Sequence, residues 1–160
     1  MNSLFICIGS LFKLTMTVAL VALSVSAVAQ STNLAESSID NGVLKVGINN
    51  SAYGGAITYL SVSGENRNLI NNHDRGRQVQ QSYYAGQSID RRAEGQSPNW
   101  SPWSWNPIQV GDAFMNSSAV LEHTNNGNEI YVKTLPLLWD MNNEFAECHF
   151  ETWIQLKDSR

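Results

Sequence analysis

The sequence predicts an all-β protein, an antiparallel β-sandwich. Three observations carry that prediction. The last long segment alternates with period two: Glu147, His149, Glu151, Trp153 and Gln155 fall on one face, and Cys148, Phe150, Thr152, Ile154 and Leu156 on the other. Shorter segments rich in β-branched and aromatic residues precede it, each bounded by Asn, Gly and Ser clusters that favour turns. Beyond residue 29 no stretch shows a sustained 3.6-residue apolar stripe with caps.

The first 29 residues read as a secretory signal. Lys13 is the only charge before an apolar run from Leu14 to Ala29, which closes on Ala27-Val28-Ala29, the small-x-small pattern of a cleavage site. The run is shorter than the ~20 residues of a membrane span, and no basic stop-transfer cluster follows it. The expectation is therefore a secreted or periplasmic protein, free of the membrane after cleavage. Removing the first 29 of 160 residues leaves 131, with Cys148 as the one cysteine. A single cysteine in an exported chain forms no internal bridge and reads as a small buried apolar residue.

Residues 30–40 form a polar lead-in, and the β-sandwich domain is expected over 41–160. Val43 to Ile48 alternate as a strand. Asn49-Asn50-Ser51 and Gly54-Gly55 are turn material, and Ala56 to Val62 is a second strand, ended by Ser63-Gly64-Glu65-Asn66. The second half of the His73 to Tyr84 segment is read as a polar strand, and Gln87 to Pro102 as a long loop. Ala119 to His123 reads as a strand, Asn125-Asn126-Gly127-Asn128 as a hairpin turn, and Glu129 to Leu138 as the return strand, with Pro136 marking an edge or a break. The chain ends just after the alternating 147–156 strand, so the domain is expected to be incomplete at its C-terminus.

Composition excludes some functions. Fourteen acidic residues against ten basic ones give a net charge of −4, and no Lys/Arg cluster is present to neutralise a phosphate backbone, so no nucleic-acid partner is expected. The two cysteines match no zinc-site spacing, and no metalloprotease, serine-hydrolase, phosphate-loop or dinucleotide fingerprint occurs. No metal or cofactor is expected.

Three constellations remain. Read as a strand, residues 77–84 place Arg77, Val79, Gln81 and Tyr83 on one face and Gln78, Gln80, Ser82 and Tyr84 on the other. Neither face is apolar enough for an ordinary core strand. Such a strand needs partners, either an internal hydrogen-bond network or a ligand, and amides, guanidinium and phenols match sugar hydroxyls and carboxylates. Next, Trp100, Trp103 and Trp105 lie within six residues beside Pro102 and Pro107, followed by Asn106. Indole faces stack on pyranose rings; equally, these rings can plug the end of a sandwich core. Finally, Glu147, His149 and Glu151 follow one another about 7 Å apart along one strand face, either an acid–base set or a solvated surface.

Together these residues suggest a family. The order Gly54-Gly55-Ala56-Ile57, then Asn68 through Tyr84, then a Trp-Pro loop ending Trp105-Asn106-Pro107, resembles the start of secreted bacterial carbohydrate-active proteins with the large β-sandwich of the galactose-mutarotase type, shared by several polysaccharide lyases and glycoside hydrolase modules. The resemblance covers roughly residues 41–156. It implies a partial supersandwich, since such domains are far longer than this chain. It also implies acid–base groups on the concave sheet, and His73, Arg77, Tyr83 and His149 are the catalytic candidates on that basis.

A lyase would use Tyr83 or His73 as base, with Arg77 and Gln81 on a uronate carboxylate. A hydrolase would use two of Glu144, Glu147 and Glu151. The alternatives are a non-catalytic glycan-binding module built on the tryptophans, or a structural interaction domain. Gln78, Gln80, Gln81, Tyr84, Trp100, Trp103, Trp105, Asn106, Glu147 and Glu151 are the candidate carbohydrate contacts.

Overall fold

Alternating apolar residues in short strands leave each strand one face to bury, and pairing two such sheets face to face satisfies that need. The computed structural model describes residues 34–157. The expected leader over 1–29 lies outside the described residues. The fold is all-β and antiparallel.

The first sheet is β1 (Ser37–Asp40), β2 (Leu44–Asn49) and β3 (Ala56–Val62), in that order. The sheet begins earlier than the sequence suggests, because β1 lies wholly within the expected polar lead-in and places Ile39 opposite Val46. Two short pairs follow in the chain. β4 (Ala85–Ile89) pairs with β5 (Trp103–Trp105), and β6 (Pro107–Ile108) pairs with β9 (Leu137–Leu138). The second three-stranded sheet has β8 (Glu129–Leu135) at its centre, flanked by β7 (Ala119–Asn125) and β10 (Phe150–Gln155).

The core lies between these two sheets. Ile39, Val46 and Ile48 of the first pack against Ile130 and Val132 of the second, with Ile57, Leu60, Val120, Ile154 and Leu156 closing the rim. Each such fully buried aliphatic side chain contributes about 1.5–3 kcal/mol. The sheets can approach closely at one corner because the residues there are glycines. A Cβ on Gly55 would lie 2.4 Å from Val132 Cγ2, and one on Gly54 would lie 2.0 Å from the Gln109 carbonyl oxygen; both have positive φ. The Thr134 hydroxyl donates to the Gly54 carbonyl at 2.7 Å, which locks this corner.

The hairpin between β7 and β8 turns through Asn126, Gly127 and Asn128. Asn126 Oδ1 accepts from the backbone N–H of Asn128 and Glu129, and Gly127 alone of the three has positive φ, so this is a three-residue loop and not a two-residue turn. Pro136 is a break: β8 stops before it, and the chain resumes as β9 in another sheet.

Two sequence expectations give way to different local structure. The 77–84 segment is not a regular strand. It runs from the first sheet to the β6–β9 pair through single bridges, Val79 to Ile57 and Ser82 to Ile108. Residues 87–102 are not a free loop either. They hold β4's end and two short 3-10 turns, Arg92–Glu94 and Pro98–Trp100. The cause is long-range pairing. Gln96 accepts from the Arg91 N–H and donates to the carbonyls of Ile89 and Trp100 and to the Asp140 carboxylate. Arg91 also grips Glu144 through both terminal nitrogens, at 2.7 and 3.1 Å.

Candidate functional site

An open cleft of about 480 Å³ forms where the 74–84 segment passes the tryptophan region. Its walls are Asp74, Arg75, Gly76, Arg77, Gln78, Gln80, Ser82, Tyr84, Trp100, Ile108 and Trp139. The aromatic wall is a continuous chain of edge-to-face contacts. Tyr84 meets Trp103 at 5.9 Å, Trp103 meets Trp100 at 4.9 Å, and Trp100 meets Trp139 at 5.7 Å. This packing fixes the rings, so little rotamer freedom is left to lose on binding. Tyr84 is the most open of them, 64% exposed.

The polar wall divides into groups already committed to the fold and groups free to act. Gln78 is buried; its Oε1 accepts from the Gly76 N–H and its Nε2 donates to the Asp74 carbonyl. Gln80 Oε1 accepts from the Val110 N–H. Gln81 lies outside the cleft and donates to the Glu151 carbonyl and to Thr152 Oγ1, tying this segment to β10. Asn106 is 0% exposed: its Oδ1 accepts from the Ser82 hydroxyl, and it presents no surface to a ligand. The amides therefore chiefly brace the cleft from behind. Arg75 does the same, donating to the carbonyls of Val110 and Asn116 beneath the Tyr53 ring. Arg77 is the guanidinium on the open side. It pairs with Asp74 at 2.6 Å, and that hydrogen bond and charge raise its pKa above the ordinary arginine value, so it is a permanent cation.

The four catalytic candidates do not meet here. Arg77 alone lines the cleft. His73 is exposed on the turn before it, and its backbone N–H donates to Asn71 Oδ1. Tyr83 points away, with its ring 5.3 Å from Phe150 and its hydroxyl donating to Gln81 Oε1. His149 is exposed just before β10.

The remaining contacts are dispersed as well. Trp105 and Glu147 border a second hollow of about 400 Å³ with Arg91, Glu144 and Phe145. Glu144 is held there by Arg91, and Glu151 lies on the outer face of β10 beside the Tyr131 hydroxyl. Trp139, which the sequence did not single out, is the second indole lining the cleft beside Trp100; Trp103 packs behind Trp100 and Tyr84, and Trp105 lies elsewhere. Only the 138–140 crossover past β6 brings Trp139 to the cleft, with its backbone N–H donating to the Asn106 carbonyl.

Among the described residues no three His, Cys, Asp or Glu side chains are grouped to hold a metal ion. No helix among them is long and apolar enough to cross a membrane. Comparison with models of protein families, with curated proteins and with solved structures returned no match.

Proposed function

We propose that this chain is an exported glycan-binding protein that holds a polysaccharide in the cleft between Arg77 and the Tyr84–Trp100–Trp139 wall. The observation that carries the reading is that one open hollow combines three fixed aromatic side chains with an exposed guanidinium–carboxylate pair. The rings offer faces to pyranose C–H groups. Arg77 offers donors to hydroxyls or a uronate carboxylate, and Asp74 and the Ser82 oxygen offer acceptors to hydroxyls. The volume lies within the range of small-ligand sites. The likeness of the 54–57, 68–84 and 105–107 segments to secreted carbohydrate-active sandwiches of the galactose-mutarotase type points the same way, as does the leader-like sequence over 1–29.

Binding is favoured over catalysis because three of the four acid–base candidates, His73, Tyr83 and His149, lie outside this cleft. The test is isothermal titration with neutral and uronate oligosaccharides, using wild type, Tyr84→Ala and Arg77→Ala. Tyr84 and Arg77 are exposed, so neither change threatens folding. At least one glycan class should bind, and each substitution should weaken it roughly tenfold, about 1.4 kcal/mol. Absence of any glycan binding, or binding indifferent to both substitutions, refutes the reading. Release of an ultraviolet-absorbing unsaturated product from a uronate polymer would instead establish a lyase.

A further inference from the structure

The outward face of the second sheet carries an aromatic pair that the fold does not use. Trp153 on β10 stands opposite Tyr131 on β8 in the antiparallel register, and their rings lie 5.1 Å apart at 38°. Trp153 is 58% exposed, which is unusual for the largest apolar side chain on a regular strand. The neighbouring rows of the same face are charged. Glu151 faces the Tyr131 hydroxyl at 3.3 Å, Glu129 meets Gln155, and Glu122 pairs with Lys133 at 3.4 Å. Three carboxylates against one ammonium leave the face negative.

From this we infer a second binding surface, in which Trp153 and Tyr131 stack on the sugar rings of a polysaccharide that carries protonated amino groups. An exposed indole braced by a neighbouring phenol at a 38° tilt makes an open platform and not a cage, which suits a pyranose face better than a lone ammonium ion. The surplus of carboxylates around the platform complements a cationic chain and repels a uronate polymer. The platform shares no residue with the Arg77 cleft, so the two sites are separable by mutation.

The experiment titrates the intact chain with a glucosamine oligosaccharide and with its fully N-acetylated counterpart. Mildly acidic buffer keeps the sugar amines protonated and the carboxylates ionised. The glucosamine oligomer should bind at least roughly tenfold more tightly than the acetylated one, with an affinity that falls as salt is added. Trp153→Ala should weaken it on the order of tenfold, Trp153→Phe should restore much of the loss, and Glu151→Gln should cost a few-fold. Absence of binding, equal binding of the acetylated oligomer, or binding unaffected by Trp153→Ala overturns the inference. Equal competition by oligolysine overturns the stacking role. A signal removed by Arg77→Ala and not by Trp153→Ala places the oligomer in the cleft, which refutes the platform and leaves the cleft reading standing. A dimer in wild type that Trp153→Ala dissociates assigns the face to a second copy of the chain and likewise overturns the inference.

Discussion

The side-chain amide of Gln96 donates a 2.5 Å hydrogen bond to the carboxylate of Asp140, and both residues are buried. Forty-four positions separate them in the chain, and the contact converts a tryptophan-rich loop into a fixed wall of the cleft. Gln96→Leu leaves the Asp140 carboxylate without that donor, at a cost of about 1–3 kcal/mol. The expected result is a lower melting temperature, with amide exchange accelerating first in residues 87–102. Unchanged exchange there would show that the Arg91–Glu144 grip suffices alone.

Gly55→Ala tests the corner where the two sheets meet. The added methyl group collides with Val132, and the positive φ penalises any L side chain. Overpacking and backbone strain together predict a loss of about 2–4 kcal/mol by urea denaturation. Pairing the change with Val132→Ala should relieve the steric part and not the conformational part, so the double mutant should fall short of additive destabilisation.

Acid stability should depend in part on Glu36. Desolvation alone would raise its pKa slightly, but hydrogen bonds from Ser51 and Asn50 outweigh that and hold it below the ordinary glutamate value of 4.5. A carboxylate with a depressed folded pKa adds stability above its unfolded value and loses it as pH falls through the folded one. Glu36→Gln should therefore lower stability at neutral pH by under about 1 kcal/mol, since the site is exposed and screened. The difference from wild type should vanish in strong acid. A constant difference across the pH range would argue against the linkage.

Cys148 packs against Leu138, Met141 and Ala146, and burial pushes its thiol pKa upward. The thiolate is the reactive form, so alkylation at neutral pH should be slow in the folded protein and rapid after urea unfolding. Rapid labelling of the native chain would mean that this satellite cluster opens readily.

The sequence alone was enough to predict the sandwich and the alternation of its last strand. Phe150, Thr152 and Ile154 face inward while Glu151, Trp153 and Gln155 face outward, because side chains on a strand alternate whatever the partner. The Asn-Gly hairpin, and an edge or break at Pro136, were legible for the same reason: each acts through its own backbone dihedral or its missing N–H. The aromatic wall was half legible. Trp100 and Trp103 stand in an obvious cluster, but Trp139 reaches the same wall only because β9 leaves the second sheet to pair with β6.

The glutamines show the limit most clearly. An amide in a polar segment suits a ligand and a backbone group equally well. Gln78 is held locally by the Gly76 N–H and the Asp74 carbonyl, whereas Gln80 and Gln81 became structural because a backbone N–H and a carbonyl from distant segments fell within 3.1 Å of them. Local pattern thus settles dihedral preference and which way a side chain points along its strand. Which side chains converge on one cleft depends on contacts between segments far apart in the chain, and those exist only once the sheets have packed.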